Sequence, residues 1–340
     1  MSVLRTPEFG LASGAVLADL EIAYQCYGAL AGDADNVILV THGLTSSHHA
    51  AGTITADRRK GWWSEVIGPG RAFDTTRYCI VSSNMLGSCY GSTGPAFVNP
   101  DTGQRYGAGF PEITFEDIVR AQHLLLQSLG VRKLVAVAGA SLGGFQAFQW
   151  AVTFPDFMAG IIAMDTGPKD IFDSAPAAAR LVEDFSQDPN WNGGDYYATG
   201  GMAAALTRLR VKTLRSYGFE EKLKGLADAG ARERVLLETA RDWAGEFDAN
   251  SLIALQRAMA RYNVERDFRK IRARLFYVLT DSDEIFPASI GAEVMTKLRS
   301  AGVDATFLEL QSPHGHYATT EEPEKWVPQV RRFLEQLDVA

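Results

Sequence analysis

A chain of 340 residues exceeds the roughly 100–200 typical of one compact domain, so it predicts one large core with an insertion or second lobe. Its 46% hydrophobic, 10% aromatic and 22% charged residues make an ordinary folded protein, and a net charge of −8 offers no basic surface for phosphate backbones. Nucleic acid is therefore not an expected partner. The amino-terminal run from Met1 to Gly10 lacks the apolar centre of a signal peptide, and no later stretch has the ~20 apolar residues that cross a bilayer. A soluble cytoplasmic protein with no membrane partner is expected. Cys26, Cys79 and Cys89 are odd in number and lack metal-ligand spacing, so they are expected to be buried free thiols rather than a disulfide framework or a zinc site.

Short apolar runs bounded by turn residues predict strands at Ile22 to Tyr24, Asn36 to Val40, Tyr78 to Ser82 and Lys133 to Ala138. Between the last two, Thr114 to Leu129 carries Phe115, Ile118, Leu124, Leu125 and Leu129 at helical spacing, with Thr114 and Asp117 placed as a capping box. A helix over Leu142 to Val152 and a strand over Gly160 to Met164 continue the alternation, which predicts a mostly parallel sheet covered on both faces. From about Thr166 to Val264, stretches rich in Ala, Arg and Glu predict a helical cap. Alternation returns with a strand at Arg274 to Thr280, a helix at Ser289 to Ser300, a strand at Ala305 to Leu310 and a final helix at Pro323 to Leu337. The expected organisation is a core over residues 1–165, a cap over 166–265 and the rest of the core over 266–340.

Gly139-Ala140-Ser141-Leu142-Gly143 follows one of these strands and opens a helix, the context in which Gly-x-Ser-x-Gly makes a nucleophile elbow. A side chain at Gly139 or Gly143 would collide with neighbouring backbone, and the tight turn exposes the Ser141 hydroxyl. A serine hydroxyl is a poor nucleophile at neutral pH; it needs a general base and a third group to orient that base. In elbow enzymes the acid and then the histidine follow the serine, on loops after late strands, and Asp283 and His316 fall in that order. Asp281 and Glu284 compete with Asp283, though an aspartate in such a turn is often only a turn former. His314 competes with His316, which Gly315 favours by giving its loop a permissive backbone. His42, His48 and His49 precede the serine, His123 lies within the amphipathic helix, and none of these suggests a metal site. The oxyanion hole needs two N–H donors: Leu142, next to the nucleophile, and Leu44, in the loop after an early strand.

With those residues in place, the chain resembles the homoserine O-acetyltransferase family of α/β-hydrolase-fold enzymes. The most specific stretch runs from Asn84 to Pro95, followed by Asn99-Pro100, Thr102-Gly103, Tyr106-Gly107 and Phe110-Pro111. Further matches are His42 to Thr45, Gly143-Gly144 with Gln146-Ala147 and Trp150-Ala151, Phe247 to Ser251, Asp281 to Asp283, and Gly315-His316. The resemblance implies an α/β-hydrolase fold with a helical cap over a tunnel to the serine, a triad acid at Asp283, and a homodimer formed through the cap.

The departures from the family pattern concern the acyl acceptor. Members that acylate homoserine typically have an aspartate after the triad histidine, where a carboxylate can hold the acceptor's amino group; here Tyr317 stands there. The family's Tyr-Arg-Ser stretch in the cap survives as Leu214-Arg215-Ser216. An unpaired ammonium in a dry pocket costs several kcal/mol. Tyr317, Leu214 and Arg215 are thus the substrate-binding candidates, and water is preferred as final acceptor. The expected activity is hydrolysis of short, acetyl-type esters, without a cofactor. The alternative is acyl transfer from acyl-CoA to homoserine or another alcohol. A non-catalytic binding protein on the same fold would require loss of a triad residue or glycine, and all have candidates here.

Overall fold

The computed structural model describes residues 2–53, 60–226 and 228–337. An eight-stranded sheet, in the order β1-β2-β6-β3-β7-β8-β9-β10, organises it. Its strands are β1 (Ser2–Gly10), β2 (Val16–Tyr27), β3 (Val37–Thr41), β6 (Cys79–Ser83), β7 (Leu134–Ala140), β8 (Met158–Met164), β9 (Arg274–Thr280) and β10 (Ala305–Leu310). A separate pair, β4 (Ile67–Gly68) and β5 (Phe73–Asp74), lies in the connection between β3 and β6. From β6 to β10 every pairing is parallel, and only β1 and β2 run antiparallel to their neighbours.

The central strands are apolar along their whole length because both faces are covered. In β3, Val37 and Leu39 join one core layer while Ile38 and Val40 join the other, as the two-residue period of a strand demands. The first layer holds α1 (Phe115–Ser128), α2 (Leu142–Thr153) and α8 (Gly291–Ser300); the second holds α10 (Val327–Leu337) with Trp63, Phe73 and Trp326. Thr114 caps α1 as expected: its side chain accepts the Asp117 N–H, and the Asp117 carboxylate accepts the Thr114 N–H at 2.9 Å.

Between β8 and β9 the described residues contribute no strand to the sheet. They form α3 (Ser174–Ser186), α4 (Ala203–Ser216), the short α5 (Phe219–Lys222), α6 (Ala229–Ala244) and α7 (Ala249–Met259). Two further apolar clusters hold these helices, one around Phe185, Trp191, Trp243 and Phe247, the other around Leu214, Phe219 and Leu236. Tyr196 donates to Asp248 at 2.6 Å, and the other Asp248 oxygen caps α7 through the Ser251 N–H. That accounts for part of the Phe247 to Ser251 match as bracing of the helices over the sheet.

Two expectations need correction. The amino-terminal hairpin went unrecognised apart from Ile22 to Tyr24. Only Phe9 of β1 is buried, so no alternating apolar signal marks this edge strand, whose Arg5 instead pairs with Glu21 directly opposite at 2.9 Å. The thiols are free, but only Cys79 is buried; Cys26 is exposed and Cys89 intermediate, because the end of β2 faces outward and Cys89 lies in a loop. No helix among the described residues is long and apolar enough to cross a membrane.

Candidate active site

Ser141 sits between β7 and α2 with φ 56° and ψ −126°, a conformation that costs a non-glycine residue on the order of 1–3 kcal/mol. The surroundings hold it there. Its N–H donates to Met164 O at 3.0 Å, the Thr166 hydroxyl donates to its carbonyl at 2.7 Å, and the α2 amides of Gly144 and Phe145 take the same carbonyl. Gly143 permits the turn: a Cβ there would lie 2.1 Å from Thr41 O. Thr41 Oγ1 donates to Gly143 O at 2.8 Å, so strand β3 and the elbow are pressed together.

The loop after β3 lies alongside. A Cβ on Gly43 would be 3.7 Å from Ser141 Cβ, which puts the following Leu44 amide beside the elbow. As the first residue of α2, Leu142 has no carbonyl within the helix for its N–H. Both amides can meet a developing oxyanion. His42 holds this loop as a fully buried, neutral ring whose pKa burial lowers to about 4. Its Nδ1 is 2.9 Å from Gly43 O and its Nε2 accepts the Met85 N–H at 3.3 Å, which assigns the proton to Nδ1. A buried network braces it from behind: Gln146 donates to His42 O at 3.0 Å, Gln122 to Gln146 at 2.7 Å, and Trp150 to Gln122 at 2.7 Å. The Asn84 to Pro95 stretch is a clamp: Met85 engages His42, while Ser92 and Thr93 hydroxyls accept β2 amides at 3.1 and 2.8 Å.

Asp283 and His316 stand on the loops after β9 and β10, at the same sheet edge as Ser141. Asp283 is buried, and its Oδ2 meets His316 Nδ1 at 2.8 Å while its Oδ1 accepts the Ile285 N–H at 2.7 Å. Asp281, the competing aspartate, braces these loops together with its neighbour Ser282. Asp281 accepts the Ser312 N–H at 2.9 Å, and the Ser282 hydroxyl accepts the Gly315 N–H at 3.0 Å. His316, not His314, reaches the carboxylate. Gly315 has φ 54°, and a Cβ there would lie 3.1 Å from Tyr217 O, so the permissive backbone is used. The His316 N–H donates to Tyr217 O at 3.2 Å, which ties this loop to the end of α4. His123 packs instead, stacked on Phe154 with centroids 4.1 Å apart.

The three substrate-binding candidates part company. Tyr317 is largely enclosed and borders the cluster that contains the fully buried Leu214. Arg215 is not brought to the site: it extends over the outer surface to Glu220 at 3.1 Å and Glu233 at 2.8 Å. At the carboxyl end of α4, with acidic residues facing it, solvent-side pairing is its available partner.

Burial disfavours the His316 imidazolium, but the charge and hydrogen bond of Asp283, with the charge of Asp165 added, outweigh it and raise the pKa above 6.5. Asp165 was not singled out from sequence, although an acid at the carboxyl end of the strand next to the nucleophile's strand is a legible signal. It is fully buried; its Oδ1 accepts the Thr280 N–H at 2.8 Å, while its Oδ2 has no partner among the described residues. Burial, then the charge of Asp283, raise its pKa from 3.8 to about 7. The folded protein therefore keeps a proton that the unfolded chain releases, so this group's favourable share of stability is whole below about pH 4 and lost as pH rises toward 7. Asp165→Asn is expected to flatten that decline by up to about 1.4 kcal/mol per pH unit, read from denaturant melts at stepped pH. Because Asp165 ionises only near pH 7, its charge reaches His316 only in the upper part of that titration, so the acid limb of the variant's kcat/KM should move slightly to lower pH. An unchanged limb would mean the two groups do not communicate.

A serine elbow and a hydrogen-bonded His–Asp pair, both at one edge of a mostly parallel sheet, make the arrangement of an α/β-hydrolase enzyme. The family model for the alpha/beta hydrolase fold matches residues 36–323. Homoserine O-acetyltransferase from Symbiobacterium thermophilum is 39% identical over 98% of this chain and 94% of its own length. Among solved structures, homoserine O-acetyltransferase from Bacillus anthracis superposes with a TM-score of 0.88 at 26% identity, covering 98% of this chain and 96% of that one. Esterase E22 gives 0.87 at 28% identity, covering 98% and 99%. The chain belongs to the homoserine O-acetyltransferase-like family of α/β-hydrolase enzymes.

Proposed function

We propose that the protein moves a short acyl group, through an acyl-Ser141 intermediate, from an acyl-CoA-type thioester to a small hydroxylated acceptor. The observation that carries this is the near-full-length likeness to a homoserine O-acetyltransferase at 39% identity. It shifts the acceptor from water, expected on sequence grounds, to an alcohol.

His316 Nε2 takes the Ser141 proton as Oγ attacks the donor carbonyl, and the oxyanion rests on the Leu44 and Leu142 N–H groups. The carbon–sulfur bond breaks, and the thiolate leaves with the proton from His316. The acceptor hydroxyl then gives its proton to His316 and attacks the acyl carbonyl; collapse releases the new ester and returns the proton to Ser141. Asp283 fixes the ring by accepting Nδ1–H. No cofactor enters this sequence.

Ester hydrolysis is the second reading, favoured by Tyr317, since a phenol cannot neutralise an acceptor's ammonium. The solved esterase E22 has the same overall form. The experiment follows acetyl-CoA consumption and acetate release together, with homoserine, with other small alcohols and with none. Transfer predicts thioester consumption that rises with an alcohol and outruns acetate. Equal rates of consumption and acetate release whatever alcohol is present would transfer the assignment to hydrolysis.

A further inference from the structure

Cys26 and Cys79 lie diagonally across the seam between β2 and β6, away from the reacting centre. Strand β6 runs parallel to β3 and β3 to β7, so Cys79, the first residue of β6, is at the other end of the sheet from Ser141, which follows the last residue of β7. In the antiparallel pairing of β2 with β6, Cys26 stands opposite Val81 and Tyr27 opposite Ile80. Side chains alternate along a strand, so Cys26, Val81 and Cys79 share one face of the sheet, with Cys79 the diagonal neighbour of Cys26. The two backbones are pressed together just beyond, where Gly28 has φ 87° and a Cβ on it would lie 2.4 Å from Tyr78 O.

The two thiols have different surroundings. Cys26 is exposed and open to a solute, whereas Cys79 is buried in the first core layer. Their side chains meet: the Cys79 S–H donates to the Cys26 sulfur. This bond holds the Cys26 thiol below its ordinary pKa and, with burial added, pushes Cys79 well above its own. An exposed, more acidic thiol with a protonated one behind it makes the attacking and resolving members of a redox pair. Cys89, in a loop beyond β6, is an internal reference: its Sγ donates weakly to Glu246 O at 3.8 Å, and burial pushes its pKa up to about 12.

We propose that Cys26 and Cys79 form a two-thiol redox site whose oxidant is hydrogen peroxide and whose product is a disulfide joining β2 to β6. The Cys26 thiolate attacks the peroxide: its S–O bond forms as O–O breaks, and the departing oxygen takes a proton and leaves as water. The Cys79 sulfur then attacks the sulfur of the Cys26 sulfenic acid; S–S forms, S–O breaks, and the hydroxyl leaves with the Cys79 proton as a second water. Two thiols are oxidised and one peroxide is reduced to two waters. Diagonal neighbours have Cα atoms roughly 7–8 Å apart, whereas a disulfide holds them within about 4.4–6.8 Å, so the bond must draw the end of β2 toward β6. A bond made under that strain is readily returned to thiols by a small dithiol. Neither step uses Ser141 or His316.

The experiment exposes the reduced full-length protein to hydrogen peroxide, alkylates the remaining thiols in denaturant and reads peptide masses, with and without a later treatment with dithiothreitol. The expected result is joint loss of the Cys26 and Cys79 thiols and a cross-linked peptide containing both, within a chain of monomer mass. Cys89 should be alkylated as before, and dithiothreitol should return both lost thiols. Cys26→Ser should slow the oxidation of Cys79 at least about tenfold, since the exposed thiol opens the sequence. Cys79→Ser should leave Cys26 at the sulfenic acid, captured by dimedone; Cys79→Ala gives the same reading if serine is not tolerated in that buried place. Oxidation of Cys26 that leaves Cys79 alkylated in the parent, a cross-link between two chains, or equal loss of all three thiols overturns the proposal. So does peroxide that oxidises methionines while Cys26 and Cys79 both remain alkylated.

Discussion

Replacing Ser141 with alanine is expected to lower kcat by on the order of 10⁶-fold, because the triad acts as a unit and neither the histidine nor the oxyanion amides can supply the missing nucleophile. What remains should be only the weak assistance that the amides and binding give to direct attack on the acyl donor. The same position separates chemistry from stability. Ser141 is held at φ 56° and ψ −126°, and alanine carries the same Cβ, so Ser141→Ala should stay strained and melt much like the parent. Glycine occupies that region without penalty, so Ser141→Gly should be equally inactive yet more stable by about 1 kcal/mol. Turnover of acetyl-CoA or an acetyl ester, denaturant melts of the three proteins, and mass spectrometry of the peptide containing Ser141 after brief exposure to substrate give the comparison. An acetyl mass on that peptide in the parent alone is expected. Undiminished turnover by Ser141→Ala would remove the nucleophile from this site altogether.

The elbow is legible in sequence because its requirements are local. A strand that runs out through Gly139-Ala140, a serine, and a glycine whose missing Cβ leaves room for Thr41 O are all set within a few residues, and the apolar runs of β3, β7 and β8 announce strands buried on both faces. Asp283 and His316 lie far along the chain, but each follows a late strand, so chain order picks them out before geometry does. Arg215 shows where such reading stops. Nothing near Arg215 in sequence distinguishes it from Arg208 or Arg210 on the same helix; only packing of α4 against the loop after β3 brings Arg210 to Thr45 and sends Arg215 to Glu233. Asp165 is only half legible: its place after β8 can be read from the sequence, but its burial and its bond to Thr280 N–H arise from the β8–β9 pairing. The amino-terminal hairpin was missed because an edge strand guarded by charges has little apolar periodicity to read.

Asp283→Asn should cost on the order of 10⁴ in kcat while leaving the fold nearly untouched, and the hydrogen bonds of the carboxylate say why. Asp283 uses its two oxygens for two different donors, the Ile285 N–H at 2.7 Å and His316 Nδ1 at 2.8 Å. Asparagine has a single acceptor oxygen. The Ile285 amide is fixed by the backbone and can only donate, whereas an imidazole can change tautomer. The amide oxygen is therefore claimed by Ile285, and its NH₂ group turns toward His316 Nδ1. Nδ1 must then accept, which moves the ring proton to Nε2, the nitrogen that has to receive the Ser141 proton. The ring stays in place and the base is lost. Loss of the Asp283 charge also removes the main influence that holds the His316 pKa above 6.5, so what activity survives should show its acid limb at lower pH. Nitrogen NMR of labelled histidine reads the tautomer directly, beside kcat and a thermal melt. If Asp283→Asn kept Nδ1 protonated and retained most of its kcat, Asp283 would be a structural neighbour of His316 and not the group that orients it.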